Sequence, residues 1–404
     1  MKIGFFTDLY LPSGSGVETS IETFRKSLEE IGQEVYIFAP FSRAFKDTNP
    51  RVFRFRSLKI IKKPEIRLAS PFLPVNSFDF LKKTKNLKLN IVHVHTPFTL
   101  GILGKYVASR QKIPILYTHH TQYADYAKFY LKGKILFSIL AQALTVWFSN
   151  ISDGIIAPSY KIKKLLKKWG VKKNIYVLPT GIDTNIFKKL AGEKRILKEY
   201  LEIPRKTKLL LFAGRIGKEK NIEFLLNTFK EILMRSKIAI NLLIVGDGPY
   251  LEELRRISRH LKIDSFVKFT GSVLYKDIPK YYQAADIFVF SSLTDTQGIV
   301  ILEAMASGLP VVALKDDAFL KIIINNKNGF LIEHRKRNKK EQKIFAQKVL
   351  TLLNNKILYK KFSSNACKTT RYFSKEKQAE KLLNIYQKLI KKRNLNLKFN
   401  LKND

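Results

Sequence analysis

Two successive series of short apolar runs, each run separated from the next by a longer amphipathic segment, constrain this 404-residue chain more than any other feature. In the first series Ile3 to Phe6, Glu34 to Ala39, Ile91 to Val94 and Ile115 to Tyr117 read as strands, and Glu18 to Ile31 has helical periodicity. Such alternation is the signature of β-α-β units and a parallel sheet. The rhythm restarts after a polar, charged stretch, Lys188 to Lys208, with Leu209 to Phe212, Asn241 to Val245, Val267 to Phe269, Ile287 to Phe290 and Pro310 to Ala313. The expected fold class is therefore α/β, with two Rossmann-like, doubly wound parallel-sheet domains. The turn-rich Tyr176 to Asp183 should end the first and begin a hinge. The length agrees, because one hydrophobic core seldom serves so long a chain.

In doubly wound sheets, ligands bind beyond the carboxyl ends of the strands, so the loops there carry the candidate chemistry. After the first strand, Pro12-Ser-Gly-Ser-Gly-Val-Glu18 places Gly14 and Gly16 before a helix, where backbone N–H groups can meet an anion. By itself this is equally an ordinary strand-to-helix turn. Directly after Leu209 to Phe212, Gly214-Arg-Ile-Gly-Lys-Glu-Lys220 places Arg215 and Lys220 where both could reach one diphosphate. Two fixed cations would stabilise a departing nucleotide more than the bound substrate, in place of a metal. The alternative is that they are two of 74 basic residues.

The most informative segment is Ser291-Ser-Leu-Thr-Asp-Thr-Gln-Gly-Ile-Val-Ile-Leu-Glu303. Asp295 and Glu303 flank a loop and a helix start opened by Gly298, and carboxylates accept paired hydrogen bonds from vicinal hydroxyls. One could hold a ribose and the other a hexose, with N–H groups of Thr296, Gln297, Gly298 and Ile299 facing the ligand. Against this, Asp295 could be only a helix cap and Glu303 an exposed helix residue. His119 and His120 follow the strand ending at Tyr117, and one of them should contact a sugar or an acceptor. His93 and His95 read as structural.

The Gly14/Gly16 turn, Arg215-x4-Lys220 and Asp295-x7-Glu303, together with Val245-Gly-Asp-Gly-Pro249, Phe269-Thr-Gly-Ser-Val273, Tyr282-Gln-Ala-Ala-Asp286 and Ala157-Pro-Ser159, resemble the retaining glycosyltransferases of family 4. That resemblance implies the GT-B fold, in which two Rossmann-like domains face each other across a cleft. Family members usually have glutamate at both ends of the x7 motif, and Asp295 is one methylene shorter. Thr118-His-His-Thr-Gln-Tyr-Ala-Asp-Tyr126 and Thr296-Gln-Gly298 are similar to bacterial 1,2-diacylglycerol 3-glycosyltransferases, the monoglycosyldiacylglycerol synthases. The resemblance picks His120 as the active-site histidine and places Gly16 near the phosphates and acceptor. It puts Arg215 and Lys220 on the diphosphate with Gly214 and Val273 lining the nucleotide site, Glu303 on the ribose, and Asp295, Gln297 and Gly298 at the sugar. It implies a UDP-glucose or UDP-galactose donor substrate, no cofactor or metal, a diacylglycerol acceptor, and front-face attack with retention.

The implied division is 1–187 for an N-terminal acceptor- and membrane-binding domain and 188–372 for a C-terminal sugar-nucleotide-binding domain. A helix at 373–390 should cross back to the first domain, and a disordered basic tail should fill 391–404. The formal charge of +41 attracts polyanions without choosing among them. Arg51 to Pro64 alternates cations with apolar residues, which suits anionic headgroups, and Lys128 to Lys134 leads into the apolar run Ile135 to Phe148. That run is either an interfacial helix or a buried crossover helix, and it is too interrupted by polar residues to span a bilayer. The start, Met1 to Asp8, is too short for a signal h-region and reads as a buried strand. Cys367 as the only cysteine fits a reducing compartment. The expected location is the cytoplasm, peripheral on the inner face of the cell membrane, in glycolipid biosynthesis for the cell envelope. Two alternatives stay open: another acceptor, such as a polyprenyl-linked or cell-envelope glycan or a sterol, and a nucleic-acid-binding protein on a Rossmann scaffold. The second rests on charge and a 12% aromatic content alone, with no recognised nucleic-acid motif.

Overall fold

The computed structural model describes residues 1–404 except 13–14, 43–44, 61–62, 70–85, 123–134, 189–191, 335–338 and 401–404, and gives the backbone alone at 58–60, 63–68, 193 and 397–400. The chain forms two compact units, residues 1–181 with 375–404, and residues 182–374.

The first unit runs β1 (Lys2–Phe6), α1 (Gly16–Glu30), β2 (Glu34–Pro40), β3 (Val52–Phe55), β4 (Ser57–Ile60), β5 (Lys63–Ala69), β6 (Ile91–Val94), α2 (Thr99–Arg110), β7 (Ile115–Thr118), α3 (Ile135–Ile151), β8 (Gly154–Ala157), α4 (Tyr160–Lys168) and β9 (Ile175–Val177). Seven of these strands form one sheet in the order β3-β2-β1-β6-β7-β8-β9, and β4 and β5 pair separately as an antiparallel ribbon. A parallel sheet is buried on both faces, so successive residues of β1 serve opposite cores. Ile3 and Phe5 pack with Val17, Ile21, Phe24 and Leu28 of α1. Phe6 packs on the other face with Leu100, Leu103 and Val107 of α2, Phe148 of α3 and Ile162 and Leu166 of α4.

The second unit contains α5 (Glu193–Tyr200), β10 (Lys208–Ala213), α6 (Ile222–Arg235), β11 (Ile240–Val245), α7 (Leu251–His260), β12 (Val267–Phe269), α8 (Ile278–Ala284), β13 (Ile287–Phe290), α9 (Ile299–Ala306), β14 (Val311–Leu314), β15 (Gly329–Ile332), α10 (Lys339–Asn354) and α11 (Lys356–Thr370). Its parallel sheet has the order β12-β11-β10-β13-β14-β15. The last helix, α12 (Lys375–Asn400), belongs to the first unit, where Ala379, Leu382, Ile385, Tyr386 and Leu389 complete the core beneath α1.

Four expectations need correction. The chain enters the second unit at Ile182 rather than after residue 187, because Ile182 N donates to Phe373 O at 2.9 Å and Ile182 and Phe187 are buried in the second core. The charged stretch Lys188 to Lys208, expected to continue the hinge begun at Tyr176 to Asp183, carries helix α5 at Glu193–Tyr200, whose buried Lys198 donates to the Arg205 and Thr207 carbonyls at 2.9 and 2.5 Å. The tail beyond Lys391 is not disordered up to Asn400 but continues α12, since it is rich in helix formers and lacks proline and glycine. The stretch Arg51 to Pro64 contributes β3 to the sheet, and Arg54 turns inward to bond both Asp47 oxygens at 2.8 Å and the Leu11 and Pro40 carbonyls. Arg54 is thus withdrawn from any headgroup, while the side chains of 58–64 and the whole of Lys128 to Lys134 lie outside the described residues.

Leu382 is fully buried between α1 and the sheet. Leu382→Ala should cost about 2–5 kcal/mol in urea unfolding, whereas Lys381→Ala, exposed one position earlier, should stay within about 0.5 kcal/mol.

Candidate functional site

Each sheet has one place where its connections diverge to opposite sides. In the second unit it lies between β10 and β13: the chain goes from β10 outward to β11 and β12, then returns to β13 and continues to β14 and β15. Loops leaving adjacent strands in opposite directions open a crevice at their carboxyl ends. Arg215 and Lys220 follow β10, and Asp295 follows β13, so the sheet order brings their loops together.

The Arg215 loop is fixed by backbone contact with the next loop. Gly214 N donates to Val245 O at 3.0 Å, Ile216 N to Asp247 O at 2.9 Å and Tyr250 N to Ile216 O at 3.1 Å. A Cβ on Gly246 would stand 2.0 Å from Gly214 O, and one on Gly248 would stand 2.3 Å from Ile216 O. Glycines at both positions are therefore what lets the Val245-Gly-Asp-Gly-Pro249 turn press on the loop that carries Arg215.

Lys220 ends a short 3-10 turn, Lys218–Lys220, and its Nζ donates to Asp295 Oδ1 at 2.9 Å. Ser291 Oγ donates to Lys220 O at 2.8 Å, which ties the two loops a second time. Gly298 caps α9 with φ of 79°, a left-handed conformation that favours glycine, and the sequence continues through Ile299 into the helix. Thr296 is half-buried and Gln297 is buried beside it. Val273, just beyond Gly271, packs partly buried against the second core.

Glu303 is 4% exposed, which removes the reading of an exposed helix residue. Its Oε2 accepts a hydrogen bond from Tyr282 Oη at 2.8 Å. Desolvation pushes the carboxyl up to about 7 against the lowering effect of that bond. A carboxylate can accept hydrogen bonds from hydroxyls, and a vicinal diol offers two. Tyr282 was legible only as part of a family string, because nothing in sequence announces that a tyrosine on α8 will face a glutamate on α9.

In the first unit the divergence lies between β1 and β6. Gly14 lies outside the described residues. Gly16 is the exposed first residue of α1, and among the described residues, its chain neighbours and own helix backbone aside, none comes within 4 Å of a Cβ built there, so their packing does not demand a glycine. Asp8, after β1, went unnoticed in the sequence. It is buried and accepts from Thr96 Oγ1 at 2.8 Å and Thr99 Oγ1 at 2.7 Å, with its carboxyl pushed up to about 6 by burial.

His120 is joined to His95: His120 Nε2 and His95 Nδ1 are 2.9 Å apart. His95 lies 4.2 Å, ring to ring, from His93, whose nitrogens meet Tyr386 Oη at 2.7 Å and Thr118 Oγ1 at 2.6 Å. His119 is fully buried and meets Tyr117 Oη at 3.2 Å, which leaves His120 as the partly exposed member of the pair. Burial lowers His120 to about 3 and His119 to about 4, and it lowers His93 and His95 well below the ordinary range, so all four are neutral at pH 7. His95, read as structural, is buried and is the hydrogen-bonding neighbour of His120. The signal was its position directly after β6 at the divergence point.

Among the described residues, no three His, Cys, Asp or Glu side chains are grouped so as to hold a metal ion. Arg215 and Lys220 are basic residues carried on the loop after β10, and Lys220 is paired with Asp295 across the crevice.

Residues 14–186 match the family described as Glycosyltransferase Family 4, and residues 193–369 match Glycosyl transferases group 1. An alpha-monoglucosyldiacylglycerol synthase from Streptococcus pneumoniae is 37% identical over 81% of this chain and 74% of its own length. The protein of the same name from Acholeplasma laidlawii is 31% identical over 98% of this chain and 99% of its own. Among solved structures, Anabaena HepE in complex with UDP aligns with a TM-score of 0.77 at 19% identity, covering 96% of this chain and all of that one, which supports the fold. The two sheets with their carboxyl-edge loops have the architecture of GT-B enzymes, and by its relatives this chain belongs to family 4 of the glycosyltransferases and is a glycosyltransferase.

Proposed function

We propose that the enzyme transfers glucose, or galactose, with retention from a UDP-sugar to 1,2-diacylglycerol at an anionic membrane surface, giving an α-monoglycosyldiacylglycerol. The observation that carries the lipid acceptor is the uncovered start of α3. Ile135, Leu136, Ile139 and Leu140 are 74%, 65%, 56% and 54% exposed, and Phe137 and Trp147 are nearly half exposed. Soluble surfaces seldom leave so contiguous an apolar patch, and one that does so marks a membrane or partner contact. No helix among the described residues is long and apolar enough to cross a membrane, so contact through α3 would be peripheral. The names of the two synthases point the same way. Placement on the inner, cytoplasmic face of the cell membrane belongs to the same reading.

The donor reading rests on the second unit. Arg215 and Lys220 would take the diphosphate, Glu303 the ribose hydroxyls, and Asp295, Gln297 and Gly298 the hexose, with HepE's capture of UDP on the same fold in support. The bond from the anomeric carbon to the phosphate oxygen breaks while the acceptor oxygen bonds to that carbon on the same face. The acceptor proton passes to the departing phosphate, whose negative charge the two cations stabilise as it develops. No carboxylate base and no metal is required. His120, neutral at physiological pH, would hydrogen-bond the sugar or acceptor rather than act as a cationic acid.

Lys220→Ala should lower kcat by about 10²–10³ with circular dichroism showing the fold retained, and His120→Ala should lower turnover with diacylglycerol by roughly tenfold or more. EDTA should leave the rate within about twofold; its abolition by chelator would overturn the metal-free mechanism. Because Glu303 is protonated below its folded value of about 7, affinity for UDP-glucose should fall from pH 8 to pH 6 by up to about tenfold. Calorimetry should show that dependence flattened in Glu303→Gln. Leu136→Asp with Leu140→Asp should release the protein from anionic vesicles in sedimentation, and unchanged sedimentation would remove α3 from the docking surface.

A further inference from the structure

A second basic site lies at the other edge of the first sheet. A cavity of about 270 Å³ is lined by Asp153, Lys172, Lys173 and Asn174, and by Leu389, Lys392, Arg393 and Asn396 of α12. Asp153 immediately precedes β8, and Lys172 to Asn174 immediately precede β9. These are the amino ends of the strands, whereas His119 and His120 follow the carboxyl end of β7. The cavity is therefore across the sheet from the histidine cluster and is made wholly within the first unit.

Its electrostatics are one-sided. Lys172, Lys173, Lys392 and Arg393 contribute four positive charges against the single carboxylate of Asp153. That carboxylate is engaged, since Asp153 Oδ2 accepts from Ile115 N at 2.9 Å. Among the described residues none of the four cations forms an ion pair, and Arg393 spends only Nε, on Lys112 O at 3.3 Å. Leu389 anchors the wall, being buried in the core, and positions 389, 392, 393 and 396 share one face of the helix. The cations are thus mounted on fixed elements, a strand entry and a docked helix.

We infer that this cavity binds a soluble ligand carrying adjacent phosphoryl groups. Four cations around one small volume call for a multiply charged anion, and the guanidinium suits phosphate oxygens in pairs. A membrane headgroup fits less well. Asp153 lies two residues beyond the end of α3, while Ile135, Leu136, Phe137, Ile139 and Leu140, five of its six exposed large apolar residues, occupy its first turns and only Trp147 lies near its end; 17 residues at about 1.5 Å each separate the two ends by about 25 Å. A protein lying on lipid through the start of α3 would hold this cavity away from the surface.

The test is calorimetric titration of the full chain with inorganic pyrophosphate, with circular dichroism confirming each fold. Lys172→Glu with Lys173→Glu should weaken binding roughly tenfold or more. Lys392→Gln with Arg393→Gln provides a second variant that leaves the strand entry intact. Arg215→Ala with Lys220→Ala should leave this binding in place, which separates it from the proposed nucleotide site. The inference fails if pyrophosphate binding disappears only with Arg215 and Lys220, or if the charge-matched control Lys360→Glu with Lys361→Glu weakens it equally. It also fails if the Lys172 and Lys173 variant loses binding to phosphatidylglycerol vesicles while pyrophosphate does not bind the wild type, since the ligand would then be a headgroup.

Discussion

A parallel strand cannot be reached by a tight turn from its neighbour, and the rest of this structure depends on that constraint. Each strand must be followed by a crossover, usually helical, before the next one begins. All carboxyl ends of a sheet then lie along one edge, and the loops most able to hold a ligand collect there. In the second sheet the order β12-β11-β10-β13-β14-β15 makes β10 and β13 neighbours, although two β-α units separate them in the chain. Lys220 and Asp295, 75 residues apart, meet for this reason.

Burial then sets the chemistry of the groups gathered at these edges. Glu303 and Asp8 are carboxyls taken out of water, and each is held by hydroxyl or backbone donors rather than by a cation. Desolvation outweighs those bonds, so both titrate well above an ordinary carboxylate. The same physics acts oppositely on the four histidines, keeping them neutral and fit to hydrogen-bond without adding charge. Lys220 instead meets a carboxylate, its Nζ donating to Asp295 Oδ1 at 2.9 Å across the crevice.

Much of this was legible before the fold. The strands at Ile91–Val94, Val267–Phe269 and Ile287–Phe290 have the bounds their apolar runs announce, because doubly buried strands read as continuous hydrophobic runs. The strands Gly154–Ala157, Ile175–Val177 and Gly329–Ile332 passed unread, being three or four residues long and beginning at glycine or beside lysines. Lys198 defeated composition: a lysine-rich stretch reads as solvated, yet carbonyls from the following turn hold that ammonium inside. Arg54 did the same on β3, drawn in by Asp47.

By itself the sequence determined two α/β units, the glycine and basic motifs after β10, the spacing of Asp295 and Glu303, and through them the family, since these follow from local periodicity and from residue types at fixed offsets. Tertiary structure decided the rest: that Glu303 is buried against Tyr282, that His95 stands beside His120, that α12 joins the first unit, and that its lysine and arginine meet Lys172 and Lys173 around a cavity. Those facts depend on which distant elements are neighbours, and neighbours are chosen by the packing of whole sheets and helices rather than by any stretch of chain.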